Sequence, residues 1–444
     1  MSQRFWITGF LCGLGLCLIG MLVSIDSARA SGAITVTTTS DVIANDGQCS
    51  LREAIIAANT DTASGAAVDE CSAGNGVDEI NFVVTGTIYL ASSLPGITTS
   101  VAINGPGADL LTIYPSLNQT VFSFGGLDQT YEVSGLNILG NGVATNSRGL
   151  ILGSNITVTV KSSRITGHAQ GGVTVWFTST LNLIDSVVSQ NSAPGGGGIY
   201  NVRGQLMIRN STIAYNSSGF GGGGIYNADG AVTLINSTVA FNSTGGGVGS
   251  PRGGGILNNG SLALLNSTVS GNSACSSCDG GGIGTNGFNT TGLLTITNST
   301  IVSNTAGHLG GGLYIVSNTV TLRNTIIANS VSGGDCNLAS GLINNGGYNL
   351  VEDSSCGFTG GADPMLGPLH DNGGPTLTHA LLPGSPAIDA GDPTNCGDVF
   401  DQRGYLRTVD GNSNGVARCD IGAYEFGSFV FNPTAFVYLP LIRR

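Results

Sequence analysis

Short runs of alternating apolar and polar residues recur through the middle of the chain. Leu206 and Ile208 flank Met207 ahead of Asn210, Val232 and Leu234 stand ahead of Asn236, and Leu262 and Leu264 ahead of Asn266. A period of two is the signature of a strand with one aliphatic face turned inward. Each run leads into a second signature: "NSTIAYN" at Asn210, "NSTVAFN" at Asn236, "NSTVSGN" at Asn266 and "NSTIVSN" at Asn298, with variants at Asp185 and Asn324. Five of these six close on an asparagine, at Asn191, Asn216, Asn242, Asn272 and Asn304. A third signature, Gly-Gly followed by an apolar residue, returns every 26 to 31 residues at Val173, Ile199, Ile225, Ile256, Ile283 and Leu313.

Independent signatures that share one period predict a solenoid. Two or three short strands per repeat, stacked at about 4.8 Å per coil, give a parallel β-helix from residue 80 to 358. In that fold Ile213, Val239, Val269 and Ile301 form one inward column, and the asparagines stack at the bends. The glycine runs are then tight turns between strands. A phosphate-binding loop would lead into a helix, and here each run leads into a strand.

The flanks differ from the repeats. Residues 31–79 predict an N-terminal cap, because Ser50 and Glu53 have capping-box spacing ahead of Leu51, Ala54, Ile55 and Ala58 on one helical face. Residues 359–427 form an irregular C-terminal region, followed by an apolar tail at 428–444. That tail, "FVFNPTAFVYLPLIRR", reads either as a sorting or attachment signal or as a last strand packed on the C-terminal region. It is too short to span a bilayer as a helix. Residues 1–30 have the charged start, apolar stretch and Ala28-Arg29-Ala30 site expected of a secretory signal.

Composition narrows the setting. Of 444 residues 72 are glycine and 9% are charged, the formal net charge is −12, and Lys161 is the only lysine. Such a surface repels phosphate backbones, so a nucleic-acid partner is not expected. Eight of the ten cysteines lie beyond the signal, in neighbouring pairs: Cys49/Cys71, Cys275/Cys278, Cys336/Cys356 and Cys396/Cys419. An even count in an exported chain favours disulfides, here between neighbours.

"CSLREAI" at Cys49 resembles the N-terminal domain of exported bacterial CSLREA-type proteins. "NGGPTLTHALLPGSPAIDAG", "DQRGYLR" and "CDIGAYEF" resemble the choice-of-anchor Q domain, and the repeats are similar to those of polymorphic outer-membrane proteins. The resemblance implies a right-handed parallel β-helix, secreted or on the cell surface, with no established chemistry.

Candidate chemistry is sparse. From Val133 to Gly334 there are three carboxylates, Asp185, Asp229 and Asp279, at three different places in the repeat. Glycoside cleavage needs two facing carboxylates, and these do not share a register. Arg203 and Asp229 do, which predicts an exposed ion pair. His168 and His308 read as solvated turn residues, Cys275-x-x-Cys278 as a local disulfide or a redox or metal site, and the Asn-x-Ser/Thr sequons as bend structure. "DGNSNG" places Asp410, Asn412 and Asn414 at alternating positions of a calcium-type loop, with Asp420 nearby and Ile421 where a bidentate acid belongs. An ordinary Asp/Asn/Gly turn is the other reading, with Cys419 tying the loop down in place of a metal. No catalytic residue and no cofactor other than calcium is assigned. The expected function is a non-catalytic binding, adhesive or structural surface protein whose partners are surface glycans or extracellular polysaccharide. The alternative is a β-helix polysaccharide lyase or glycoside hydrolase. Any membrane attachment would run through the C-terminal tail.

Overall fold

The computed structural model describes residues 32–428, apart from 68–69, 117, 143–146, 247–252, 287–291 and 360. The expected leader and nearly all of the apolar tail lie outside the described residues. The described chain winds into a right-handed parallel β-helix of about 10 turns. Three long sheets run its length, of 12, 11 and 9 strands. One coil contributes, for example, Ile199–Val202 to the third sheet, Gln205–Arg209 to the first and Thr212–Ala214 to the second.

Alternation decides which side chains enter the core. Val188, Ile213, Val239, Val269, Ile301 and Ile327 stand in register along the second sheet, each fully buried. Burial of an aliphatic side chain of this size contributes about 1.5–3 kcal/mol.

The asparagine columns sit at the bends as the repeat predicted. Nδ2 of Asn216 donates to the carbonyl of Val188 and to Oδ1 of Asn242, both at 2.9 Å. Asn242 repeats the pattern towards Ile213 and Asn272. Each buried amide therefore satisfies backbone groups that no strand reaches, which offsets the cost of burying it. Sequon residues Asn210, Asn236, Asn266 and Asn298 all hold left-handed backbone at another corner.

The N-terminal end is closed. Helix α1 (Leu51–Thr60) starts at Ser50, whose side chain and that of Glu53 complete a capping box, and it packs on strand Gly32–Val36. That strand pairs in parallel with Asp78–Phe82, so the first sheet begins before the recognisable repeats. Disulfide Cys49–Cys71 ties this cap.

The other three neighbour pairs are bonded as well: Cys275–Cys278, Cys336–Cys356 and Cys396–Cys419. Cys336 opens the last strand of the third sheet, Cys336–Leu338, and half-buried Cys356 closes the coil behind it from a left-handed turn. That bond pins the final coil, as Cys49–Cys71 pins the first. Cys396 and the fully buried Cys419 join two segments of the C-terminal region. Four disulfides fit an oxidising, extracellular setting.

The C-terminal region lies along the flank of the solenoid. Strands Leu366–His370 and Thr378–Leu381 form an antiparallel hairpin, and residues up to Ser428 follow it across the outer face of the second sheet. There Thr238, Thr268, Thr300, Val302, Ile326 and Ala328 are buried on the outside as well as the core side. Earlier strands of the same sheet, such as Arg164–Thr166, keep their outer residues in solvent. Small or apolar outer residues from Thr238 onward mark the covered stretch.

Candidate functional site

Alternation along the third sheet turns a second set of residues outward. In the "GGGGIYN" turns the isoleucine points in and the tyrosine points out, so Thr174, Tyr200, Tyr226 and Leu257 share one outward column. The Tyr200 and Tyr226 rings lie 5.2 Å apart. Trp176 meets Tyr200 edge-on at 6.3 Å, and Phe177 stacks beside Trp176 at 6.2 Å. Nδ2 of Asn259 donates to the Tyr226 hydroxyl at 3.2 Å. Burial, followed by the neighbouring Tyr200, pushes the Tyr226 phenol up.

The glycines have a specific task beside these rings. Gly222 holds φ at 60°, and a Cβ there would lie 2.7 Å from Cα of Tyr226. A Cβ on Gly195 would sit 3.3 Å from the Tyr226 ring. Only bare backbone passes this close to the column.

Next to the aromatic strip, the corner between the third and first sheets carries one polar side chain per coil: Asp128, Asn155, Thr178, Arg203 and Asp229. All five have φ between 57° and 62°. That conformation suits Asp and Asn but costs Thr178 and Arg203 about 1–3 kcal/mol each. It is held by the next coil, with Thr178 N–H donating to Arg203 O and Arg203 N–H to Ala228 O. Arg203 lies 5.6 Å from the centroid of the exposed Phe177 ring and 3.7 Å from Asp229, the expected ion pair. At this exposure the pair contributes well under about 1 kcal/mol. A cavity of about 230 Å³ opens at the same corner, lined in part by Asp128, Gln129, Asn155, Thr157 and Thr178.

The residues singled out from sequence are scattered. Asp185 replaces an asparagine at its corner and accepts from Nδ2 of Asn210. His308 is exposed, as expected of a turn residue, and its Nδ1 meets Asp279 at 2.8 Å. His168 is not solvated: it is fully buried, and its Nε2 contacts the carbonyl of Ile138. It occupies the bend position that asparagine fills in later coils, and Oδ1 of Asn191 accepts from its backbone N–H.

The cysteines are fastenings, not site residues. Cys275 and Cys278 form the local disulfide, in place of a redox or metal site. Cys49, Cys71, Cys336, Cys356, Cys396 and Cys419 are likewise consumed in bonds, so none of the eight offers a free thiol as ligand or nucleophile.

In the "DGNSNG" loop, Asp410 accepts from the N–H groups of Asn414 and Gly415. Asn412 accepts from Asn414, and Asn414 from Val416. Asp420 takes no part in this set; it is fully buried, accepting from the N–H groups of Asp389 and Phe426. Of the four residues assigned to calcium, the loop thus gathers three, with Asp410 its one carboxylate. The chain leaving the loop is tied down at Cys419, through its bond to Cys396 and through its carbonyl, which accepts from Gly391 N–H at 2.7 Å. Among the described residues no cluster of three His, Cys, Asp or Glu has metal-binding geometry.

Folding also creates two arrangements that sequence reading missed. Ser270 Oγ and His379 Nε2 stand 2.8 Å apart, with His379 Nδ1 on the carbonyl of Gly367. Both residues are sealed beneath the flank, where the contact fastens the hairpin to the sheet. At the last coil, Asp335, Glu352 and Asp353 border a cavity of about 560 Å³. Burial raises the Asp335 pKa; at Asp353 burial is outweighed by donors from Ser355 and Asp335, and the pKa falls. These acids fasten the corner where the last coil ends, just beyond strand Leu350–Val351 and Glu352, whose N–H still donates to Ile327 O. Ser303 N–H donates to Ala328 O in the next coil, whereas the equivalent Asn329 N–H donates to Glu352. Asp335 and Asp353 each accept the other's backbone N–H.

No family model matches the chain, and no curated protein matches it. Among solved structures it is similar to one titled "Crystal structure of pectate lyase Pel9A", with a TM-score of 0.48 and 14% identity, over 89% of this chain and 96% of that one.

Proposed function

We propose that the protein is a secreted or cell-surface binding component that holds glycan on the outer face of its third sheet without cleaving it. The observation that carries this reading is the strip of Trp176, Phe177, Tyr200 and Tyr226 beside the polar corner of Arg203 and Asp229. Aromatic faces stack on the C–H faces of sugars, and rings fixed on a rigid sheet lose little freedom on binding. Incubation with a panel of polysaccharides, followed by pull-down and product analysis, tests it. Retention without new reducing or unsaturated ends is expected; cleavage products would contradict it.

The acidic cavity at the last coil favours a second reading, a polysaccharide-cleaving enzyme, because one of its acids has a raised and one a lowered pKa. Against it, both acids are already engaged in closing the open end of the solenoid. If cleavage were observed, Asp335→Asn should abolish it, while variants in the aromatic strip should not.

A further inference from the structure

We infer that the aromatic strip and the adjoining corner form one groove for an uncharged, extended, β-linked polysaccharide lying parallel to the solenoid axis, advancing one sugar per coil. This rests on the glycan-binding reading above and specifies its ligand. A pyranose ring presents C–H groups on its faces and hydroxyls around its rim. It therefore needs an apolar platform with hydroxyl partners alongside. Trp176, just beyond strand Val173–Val175, and Tyr200 and Tyr226 on the third sheet supply aromatic surface on successive coils, Trp176 edge-on to Tyr200 and the two tyrosine rings tilted by 35°. The corner supplies the polar partners, Thr178, Arg203 and Asp229 on the same three coils. Asn155, which accepts from the Thr178 hydroxyl, and Asp128 stand on the two coils before them.

Spacing sets the direction. Coils advance by about 4.8 Å, close to the step of an extended chain of β-linked pyranoses. A chain lying along the axis meets a ring and a corner side chain on each of three successive coils, whereas one lying across it leaves the strip after a single contact. The corner cavity of about 230 Å³ continues the line of the groove from the Thr178 coil past Asn155 to Asp128.

Charge selects the class. Arg203, the cation among these residues, faces Asp229 at 3.7 Å and lies over Phe177. Asp128 adds a negative charge, and the whole chain carries −12. With two carboxylates, Asp128 and Asp229, to one guanidinium, a uronate or sulfated chain would meet net repulsion at this corner.

Calorimetric titration of the purified protein with neutral β-1,4-linked gluco-, manno- and xylo-oligosaccharides, from dimer to hexamer, tests the inference, with oligogalacturonates as the charged series. At least one neutral series should gain affinity with length until the strip is covered, with little dependence on salt. Tyr226→Ala and Phe177→Ala should each weaken it about tenfold, and Tyr226→Phe should weaken it less. Tyr215→Ala, at a separate exposed stack with Phe241, should leave it unchanged. Phe177 is 42% exposed, so its loss keeps the test valid if the Tyr226 variant folds poorly. Salt-sensitive binding of oligogalacturonates alone, lost in the same variants, would overturn the neutral ligand but keep the glycan-binding reading. Affinity independent of length, or unaffected by Phe177→Ala and Tyr226→Ala, would overturn the axial groove. Binding to no glycan would remove both.

Discussion

His168 is a single departure from the bend column with a measurable consequence. Burial, only partly opposed by the Ile138 carbonyl, lowers its pKa to about 4. A base with a depressed folded pKa must gain a proton on unfolding in acid. Stability is therefore present above the unfolded value near 6.5 and is lost as pH falls towards about 4, by up to about 3 kcal/mol. His168→Asn should continue the asparagine ladder and remove that loss. Thermal melts of both forms between neutral pH and about pH 4 check this. An equal acid-side decline in the variant would place the titrating group elsewhere.

Among the elements, α1 matters because a solenoid end is an open sheet edge. Its N-terminus is fixed by Ser50 and Glu53, and its entry by the buried Arg52–Asp41 pair at 2.7 Å. The Cys49–Cys71 bond closes the loop behind it, contributing on the order of 3 kcal/mol. Replacing both cysteines by serine should bring early proteolysis between Thr60 and Asn75, and association through the uncovered strand Gly32–Val36. Limited proteolysis with mass spectrometry reads the first cut. Wild-type resistance in the variant would show that the helix holds without its staple. The other end is built differently. Strand Gly341–Asn345 is largely exposed, and the Cys336–Cys356 bond and acidic side chains, rather than a helix, secure the last corners.

At the scale of the whole molecule, the flank is the second main packing event. Gln402 bonds to Thr238, Thr268 and Thr376, and Arg407 to Asn266, so polar groups from distant parts of the chain fix the region in place. Beneath it, Asp420 and Glu425 are fully buried around Arg407. Burial raises both carboxyls; at Asp420 the neighbouring Glu425 adds to it, while at Glu425 the Arg407 charge opposes it. For acids with raised folded values, stability is complete below the ordinary carboxylate range and is lost as pH rises through the raised values. Alkaline solution should therefore loosen residues 359–428 before the solenoid. Hydrogen exchange at about pH 6 and about pH 9, corrected for intrinsic rates, should locate the change there, and Glu425→Gln should reduce it. Uniform loosening of the whole chain would refute the local origin.

The solenoid itself was legible because its physics is local and repeated. A period-two aliphatic face such as Leu206/Ile208 can point only one way in a strand, and a bend asparagine is useful only if another lies one coil away. The capping box and neighbouring cysteine pairs are likewise short-range patterns. Even the outward direction of Tyr200 and Tyr226 follows from their place after an inward isoleucine. Their meeting with Trp176, Phe177 and Arg203 does not, since it depends on register between coils. Long-range packing decided the rest. Asp335 meets Asp353 because no further coil supplies carbonyls there, and Ser270 meets His379 because the C-terminal region folds back along the second sheet. Sequence spacing sets which way a side chain points relative to its own strand; only the closed structure sets what stands opposite it, because that partner comes from a distant part of the chain.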